Sequence, residues 1–270
     1  MTIGISLSGG GAKGIAHLGV LQALMEEGIK INRIVGVSAG AMAGSLFAAG
    51  YKPKHILKFF SSQQMLMFFR PSFGVQGLLD MDKTYNVYRV FFPDDKFETL
   101  DIPTTVVATE VHHGKLTYFD SGELIRPIQA SSCLPIIFKP VRIGAYYYID
   151  GGTLDNLPIA PLQGKCDFTI GVHINPIGYL KSMNVKEIIE RTFHLGAIAN
   201  IAARSKEFDF FIEPAQLGDF TVYDITKLKE MYQVGYDYAK SLMPELLKKM
   251  EKVASKQKIE GEWTWKEIPE

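Results

Sequence analysis

The sequence predicts an α/β fold built on a mainly parallel sheet, and the first 50 residues carry the signal. Residues 2–7 form a short apolar run that ends in a glycine-rich turn, and apolar residues at helical spacing follow over 15–25. Residues 33–37 indicate a second buried strand, and a helix of small residues over 39–49 ends at Gly50. Two strands joined by a crossover helix of this length pair in parallel.

The rest of the chain adds strands and a long final helix. Strand patterns occur over 103–119, where two strands flank a His-Gly turn, and over 146–149, 169–174 and 209–212. Apolar residues near a 3.6-residue period predict a helix over 226–253. Because no internal repeat, low-complexity segment or linker interrupts the chain, we expect one domain over residues 1–270.

Composition excludes several classes of protein. The 29 basic and 29 acidic residues balance, so no net charge attracts nucleic acid. Cys133 and Cys166 lie far apart in sequence and are expected to be reduced thiols. The start of the chain lacks the pattern of a secretory signal, and no apolar run of about 18 residues could span a membrane. We therefore expect a cytoplasmic protein, with peripheral membrane contact left open.

The glycine-rich turn after the first strand is the first candidate site. It consists of Gly9, Gly10, Gly11, Ala12, Lys13 and Gly14. Its backbone N–H groups lie at a helix N-terminus, where anions are stabilised. The turn matches the G-x-G-x-x-G of dinucleotide-binding folds, but the second strand ends in Gly36-Val37-Ser38 where such folds carry a ribose-binding acid. A Walker A loop would need Ser or Thr after Lys13. An oxyanion hole is the remaining functional interpretation, beside a tight turn that binds nothing.

The candidate nucleophile lies in the motif Gly36-Val37-Ser38-Ala39-Gly40, a G-x-S-x-G sequence between a strand and a helix. A sharp turn at this place lifts the serine oxygen out of the sheet, and the small flanking residues let the backbone pass close by. The N–H of Ala39 is well placed to join the oxyanion hole. We therefore predict that Ser38 is a nucleophile.

Ser38 needs a base, and the sequence offers two kinds. His173 and His194 follow Asp150 in the chain, which is the Ser-Asp-His order of α/β-hydrolases. Several strands precede the nucleophile in those enzymes, however, and here one βα unit precedes Ser38. Asp150 itself ends an apolar strand and is followed by Gly151 and Gly152. A Ser-His-Asp triad, a Ser-Asp dyad and an ordinary Asp-Gly-Gly turn all remain open on these grounds.

Other polar residues receive structural interpretations. His17 lies inside the first helix and is expected to pack beside the glycine turn, whereas His112 and His113 belong to a turn. Asp155 is expected to be a turn or surface group. No set of His, Cys and Asp residues has the spacing of metal ligands, so no metal is implied.

Together, the motifs resemble those of the patatin-like phospholipase family. The similarity covers G-G-G-x-K-G, G-V-S-A-G and D-G-G, and it spans roughly residues 3–160. It extends to residues 16–21 and to Ala130-Ser131-Ser132-Cys133-Leu134-Pro135, a segment that this family carries shortly before the aspartate. Asp-Gly-Gly replaces the commoner Asp-Gly-Ala. Beyond about residue 180 the match is weak, so the last third of the chain does not assign a substrate.

The resemblance implies a three-layer α/β/α fold and a catalytic Ser-Asp dyad without histidine. By position, Ser38 becomes the nucleophile and Asp150 its base, and Gly10, Gly11 and Ala12 lie in the oxyanion loop. The implied reaction is hydrolysis of carboxylic esters of phospholipids, lysophospholipids or related acyl lipids through an acyl-enzyme, without a cofactor.

Two further features have several interpretations. Lys13 could orient the glycine loop, attract a phosphate head group or be solvated. The aromatic and Met-rich stretch 59–79 could form ordinary core, an acyl pocket, a membrane-facing lid or the contact of a homodimer.

Three alternatives to the lipid hydrolase also remain: a Ser-His-Asp esterase, a nucleotide-binding module, and a lipid-binding protein that keeps the fold without the activity.

Overall fold

The computed structural model describes residues 1–61, 81–135, 137–180 and 184–260. Most of the stretch 59–79 therefore lies outside the described residues, together with the acyl-pocket, lid and homodimer interpretations placed on it. The assignment of all 270 residues to one domain stays a prediction.

A mixed sheet of eight strands organises the described residues. The strands are β1 (Ile3–Leu7), β2 (Arg33–Val37), β3 (Thr104–Glu110), β4 (Lys115–Phe119), β5 (Val141–Ile143), β6 (Tyr146–Asp150), β7 (Phe168–Val172) and β8 (Phe210–Ile212). Their order is β5-β6-β3-β2-β1-β7-β8, and β4 pairs with β3. The four neighbouring pairs from β3 to β8 are parallel, whereas β4, β5 and β6 form antiparallel pairs. The predicted parallel β1–β2 pair is confirmed.

Helices surround the sheet. They are α1 (Ile15–Glu26), α2 (Ala39–Ala48), α3 (Pro53–Phe60), α4 (Tyr85–Phe91), α5 (Ile125–Ser131), α6 (Val185–Ile198), α7 (Ile201–Arg204) and α8 (Leu228–Glu260). The final helix predicted over 226–253 corresponds to α8. The sequence analysis did not predict β5, α3, α4, α5, α6 or α7. In the described part of the chain, no helix combines the length and the apolar character that crossing a bilayer requires.

Adjacent strand residues face two different apolar clusters, which gives the fold its three layers. Ile34 packs in a cluster that includes side chains of α1, α2 and α8. Its neighbour Val35 packs in a second cluster with side chains of residues 157–162 and with Ile201 of α7. Since successive side chains of a strand point to opposite faces, the two clusters lie on opposite faces of the sheet. The predicted α/β class is confirmed.

Two glycines let α8 lie directly against α1. A Cβ atom on Gly19 would lie 2.1 Å from the Tyr232 carbonyl oxygen, and one on Gly235 would lie 2.3 Å from the Ala16 carbonyl oxygen. The two backbones are therefore in contact, and α1 is buried from Ile15 to Leu24. Neither Cys133 nor Cys166 is in a disulfide, which agrees with the expected reduced thiols.

Candidate active site

Ser38 occupies a strained turn between β2 and α2. Its backbone has φ 52° and ψ −122°, a region that non-glycine residues rarely adopt and that costs about 1–3 kcal/mol. The flanking glycines are required by close packing, because a Cβ on Gly36 would lie 2.5 Å from Ala41 Cα and one on Gly40 would lie 2.2 Å from the Leu7 carbonyl oxygen. This is the geometry predicted for a nucleophile elbow.

Asp150 lies beside Ser38 because β3 separates the strands that carry them. Val107 of β3 pairs with Val37 of β2, and the next residue, Ala108, pairs with Asp150 of β6. The Ser38 side chain lies close enough to the Asp150 carboxyl group to lower its pKa, and the Gly152 N–H donates to Asp150 Oδ1 at 2.8 Å. The topology thus brings the candidate nucleophile and the candidate base close together.

Burial changes the acidity of Asp150. The pKa of its carboxyl group is raised from 3.8 to about 6, because burial removes the carboxylate from water. The Ser38 side chain and the Gly152 N–H lower this pKa and so offset part of the effect. At neutral pH the carboxylate is therefore mostly ionised, yet it binds a proton far more readily than an exposed aspartate. That is the property required of a general base.

The glycine loop lies against the elbow, but only part of it can donate to a substrate. The Gly9 N–H donates to Asn156 Oδ1 at 3.0 Å, the Ala12 N–H to the Val222 carbonyl at 2.9 Å, and the Lys13 N–H to the Gly10 carbonyl at 3.2 Å. Among the described residues, no acceptor pairs with the N–H groups of Gly10, Gly11 or Ala39. The hydrogen bonds of Gly9, Ala12 and Lys13 therefore leave the N–H groups of Gly10 and Gly11 in the loop, and that of Ala39 in the elbow, as candidates for the oxyanion hole.

The other loop positions have packing roles. A Cβ on Gly14 would lie 2.3 Å from the Ala39 Cβ, and a Cβ on Gly9 would lie 3.0 Å from the Ser38 Cβ. Likewise, a Cβ on Gly151 would lie 2.3 Å from the Val107 carbonyl oxygen. These glycines let three backbone segments meet around the serine.

Lys13 is a buried residue that orients the loop. Its side chain is 3% exposed, and Nζ donates a hydrogen bond to Asn175 Oδ1 at 3.1 Å. The interpretation of Lys13 as a solvated lysine is wrong, because the loop folds this side chain inward toward the end of β7.

The histidines considered as the base lie elsewhere. His173 contacts Glu213 Oε1 through Nδ1 at 2.7 Å, and the Nε2 of His194 lies 2.8 Å from the Asn175 carbonyl oxygen. His17 is packed inside α1, as expected, with Nε2 2.8 Å from the Ser8 carbonyl oxygen, and burial lowers its pKa to about 4. All six histidines are among the described residues, and none forms a hydrogen bond with Ser38 or Asp150. The Ser-His-Asp alternative thus lacks the hydrogen bond from a histidine to Ser38 or Asp150 that it requires.

Sequence reasoning missed two residues that support the site. Ser131 was part of a quoted segment but received no role, and its hydroxyl accepts a hydrogen bond from the Ser38 N–H at 2.7 Å. Asn156, which binds Gly9, was not singled out; the amide six residues after the aspartate was the available signal. Asp155 was expected to be a turn or surface group; it is buried, accepts a hydrogen bond from the Leu157 N–H at 3.1 Å and pairs with Arg204 Nη2 at 2.8 Å. Among the described residues, no group of His, Cys, Asp and Glu side chains could hold a metal ion.

Comparison with known proteins identifies the family. Residues 5–162 match the family model of the patatin-like phospholipases. The chain belongs to the patatin-like phospholipase family. Within this family its relatives include an uncharacterized NTE family protein of Mycobacterium tuberculosis, which is 38% identical over 176 residues, covering 64% of this chain and 49% of the relative. Lysophospholipase NTE1 of Saccharomyces cerevisiae is 27% identical over 286 residues, covering 91% of this chain and 17% of the yeast protein.

A solved structure shares the patatin-like fold. VipD from Legionella pneumophila superposes with a TM-score of 0.63 and 17% sequence identity, covering 90% of this chain and 66% of VipD.

This patatin-like chain spans about half the length of its mycobacterial relative and under a fifth of the length of the yeast one.

Proposed function

We propose that this patatin-like chain is a serine acyl hydrolase that cleaves carboxylic esters of phospholipids or lysophospholipids. The observation that carries the proposal is the placement of the Ser38 side chain beside the buried Asp150 carboxylate, at the ends of two strands that both pair with β3. Family membership supports a lipid substrate, and the name of the yeast relative, lysophospholipase, favours lipids with a single acyl chain.

The proposed reaction has two steps. Asp150 accepts the hydroxyl proton of Ser38 while the serine oxygen attacks the ester carbonyl carbon. The negative charge that develops on the carbonyl oxygen is stabilised by the N–H groups of Gly10, Gly11 and Ala39. The proton then passes to the leaving alkoxide, and an acyl-enzyme forms on Ser38. In the second step Asp150 takes a proton from water, and the resulting hydroxide attacks the carbonyl carbon of the acyl-enzyme. The bond to Ser38 Oγ then breaks, Asp150 returns the proton to that oxygen, and the fatty acid leaves.

Release of fatty acid tests this proposal. The purified chain is incubated with lysophosphatidylcholine or diacyl phosphatidylcholine, and free fatty acid is measured by mass spectrometry. We expect turnover by the wild type and none by Ser38→Ala or Asp150→Asn, although both variants stay folded. Turnover by Ser38→Ala at the wild-type rate would refute the proposed nucleophile. Failure of the folded wild type to react with a fluorophosphonate or any acyl ester would favour the lipid-binding rival.

The nucleotide-binding rival is tested separately. Three N–H groups of the glycine loop are not available to bind a nucleotide phosphate, because those of Gly9, Ala12 and Lys13 already donate to acceptors in the protein. We therefore expect no change in Tm with NAD, FAD or ATP. Stabilisation by one of them would contradict the assignment of this loop to an oxyanion hole.

Peripheral membrane contact is part of the proposal, and the apolar face of α6 supports it. Four exposed apolar side chains follow helical spacing on one face of α6: Val185, Ile188, Ile189 and Phe193. The helix packs against residues 151–153, directly after Asp150, so α6 lies near the candidate dyad. An apolar face on a helix next to the site would bring a lipid ester close to Ser38.

Vesicle cosedimentation tests the membrane contact. We expect the wild type to sediment with phosphatidylcholine vesicles and the Ile188→Ser, Phe193→Ser double variant to stay in the supernatant. The double variant should keep its activity on a water-soluble p-nitrophenyl ester, since both side chains are exposed and neither belongs to the candidate site. Equal sedimentation of both proteins would refute the role of α6.

A further inference from the structure

The hydroxyl group of Ser131 joins the nucleophile to the neighbouring strand. Ser131 ends α5 and is fully buried. Its oxygen accepts a hydrogen bond from the Ser38 N–H at 2.7 Å, and its own proton is donated to the Val107 carbonyl at 2.6 Å. The hydroxyl therefore bridges the elbow and β3.

The same segment also holds the backbone of Asp150. The Asp150 N–H donates to the Cys133 carbonyl at 2.9 Å, two residues after Ser131. The Val107 carbonyl oxygen, which accepts the hydrogen bond from Ser131, also lies against Gly151. A Cβ added to Gly151 would be 2.3 Å from this oxygen. Residues 131–133 thus make hydrogen bonds with the backbone of both Ser38 and Asp150.

A strained elbow needs such an acceptor. The first N–H groups of a helix have no partner inside the helix, and Ser38 immediately precedes α2. Without the Ser131 oxygen, a buried N–H group would lose its hydrogen bond, and the peptide could turn to find another. Because the φ of Ser38 is 52°, rotation toward an ordinary conformation would move the side chain away from Asp150.

We propose that Ser131 is a positioning residue, whose hydroxyl fixes the backbone of Ser38 so that its side chain lies beside Asp150. The inference rests on the proposed Ser-Asp dyad and adds a determinant of its geometry. Ser131 does not touch the substrate. It acts through the backbone of Ser38, while the Cys133 carbonyl holds the backbone of Asp150.

The test compares Ser131→Ala with two matched variants. Ser45→Ala also removes a fully buried serine hydroxyl, but that hydroxyl has no hydrogen-bond partner among the described residues. Ser131→Thr keeps the hydroxyl. For each folded variant, kcat, KM and the pH dependence of kcat/KM are measured on the same lysophospholipid or p-nitrophenyl ester, with the folded fraction determined by circular dichroism.

We expect Ser131→Ala to lower kcat by about ten- to hundredfold with little change in KM, because a misplacement of about 1 Å is enough for such a loss. The acid limb of the kcat/KM profile should move to higher pH, since the Ser38 side chain lowers the pKa of Asp150. Ser45→Ala and Ser131→Thr should keep the wild-type limb.

An unchanged kcat and acid limb in Ser131→Ala would overturn the inference. So would a loss of activity that follows only the loss of folded protein, because the role would then be structural. If Ser131→Ala does not fold, Ser131→Cys replaces it, since a thiol is a weak hydrogen-bond partner, and the same readouts decide. Full activity in Ser38→Ala would instead show that the proposed dyad itself is wrong.

Discussion

The side chain of Asn156 holds Gly9 in place beside the nucleophile, with Oδ1 accepting a hydrogen bond from the Gly9 N–H at 3.0 Å. The same oxygen lies 2.7 Å from the position of an added Cβ on either Gly9 or Gly152. A buried amide thus links the glycine loop after β1 to the segment after Asp150. This contact joins two of the sequence motifs through a residue outside both.

Replacing Asn156 with Ala should lower both stability and activity. The buried Gly9 N–H would lose its acceptor, which costs about 1–3 kcal/mol in the free energy of unfolding. Asn32→Ala is a matched control, because Asn32 Oδ1 accepts from the Ile3 N–H at 2.9 Å at the other end of β1. Urea unfolding and steady-state kinetics on both variants should give a loss of stability in each and a loss of kcat in Asn156→Ala alone. Equal kcat in the two would contradict a role of Asn156 in shaping the site.

Replacing Asp150 with Asn should abolish activity and stabilise the protein at high pH. The pKa of Asp150 is raised from 3.8 to about 6 in the folded state, so folding favours the protonated form. That favourable contribution is complete below pH 3.8 and is lost as the pH rises through about 6. At pH 8 the ionised carboxylate therefore destabilises the wild type, by at most about 3 kcal/mol at 1.36 kcal/mol per pKa unit.

Urea unfolding at several pH values measures this difference. The free energy of unfolding of Asp150→Asn should exceed that of the wild type at pH 8, and the difference should shrink as the pH falls from about 6 toward 4. A difference that does not vary with pH would mean that the Asp150 pKa is not raised in the folded protein.

Replacing Gly14 with Ala should disrupt the loop. The new Cβ would lie 2.3 Å from the Ala39 Cβ, so the loop or the elbow must shift. We expect a lower Tm and a kcat reduced by more than about tenfold, since the shift moves the candidate N–H donors. Gly196→Ala in α6 has open space around the added Cβ and should leave kcat unchanged and Tm equal or slightly higher. A wild-type kcat in Gly14→Ala would contradict the packing account.

Replacing His194 with Gln should leave the chemistry intact. The imidazole Nε2 contacts the Asn175 carbonyl and makes no hydrogen bond with Ser38 or Asp150, and glutamine can donate to the same oxygen. We expect kcat within about threefold of the wild type, whereas removal of a catalytic histidine would cost roughly a thousandfold or more. Steady-state hydrolysis of a p-nitrophenyl ester distinguishes the two outcomes.

Local patterns predicted most of the sheet and placed Ser38 and Asp150 at strand ends, whereas the family resemblance implied that Asp150 is the base. The elbow at Ser38 and the strand that ends at Asp150 both have short-range signatures, namely small residues around a turn and an apolar run before two glycines. Their meeting depends on β3 lying between β2 and β6, which is a long-range pairing that no local pattern encodes.

The supporting residues were hidden for the same reason. Ser131 and Asn156 act through single hydrogen bonds to backbone groups 93 and 147 residues away. Lys13 was ambiguous because a lysine in a turn is usually solvated, and only the fold shows that Asn175 receives it in the interior. The helix α6 was not predicted. Its apolar residues lie on an exposed face, so they are not the core-facing residues that the search for helices relied on.

Labelling of Ser38 by a fluorophosphonate as a function of pH tests the central claim most directly. If Asp150 activates Ser38, mass spectrometry will locate the adduct on Ser38, and the second-order rate will rise with pH through one ionisation near pH 6. In Asp150→Asn that ionisation should vanish, with the rate lower by about 10²–10⁴-fold. An adduct on another residue, or labelling of Asp150→Asn at the wild-type rate, would contradict the account.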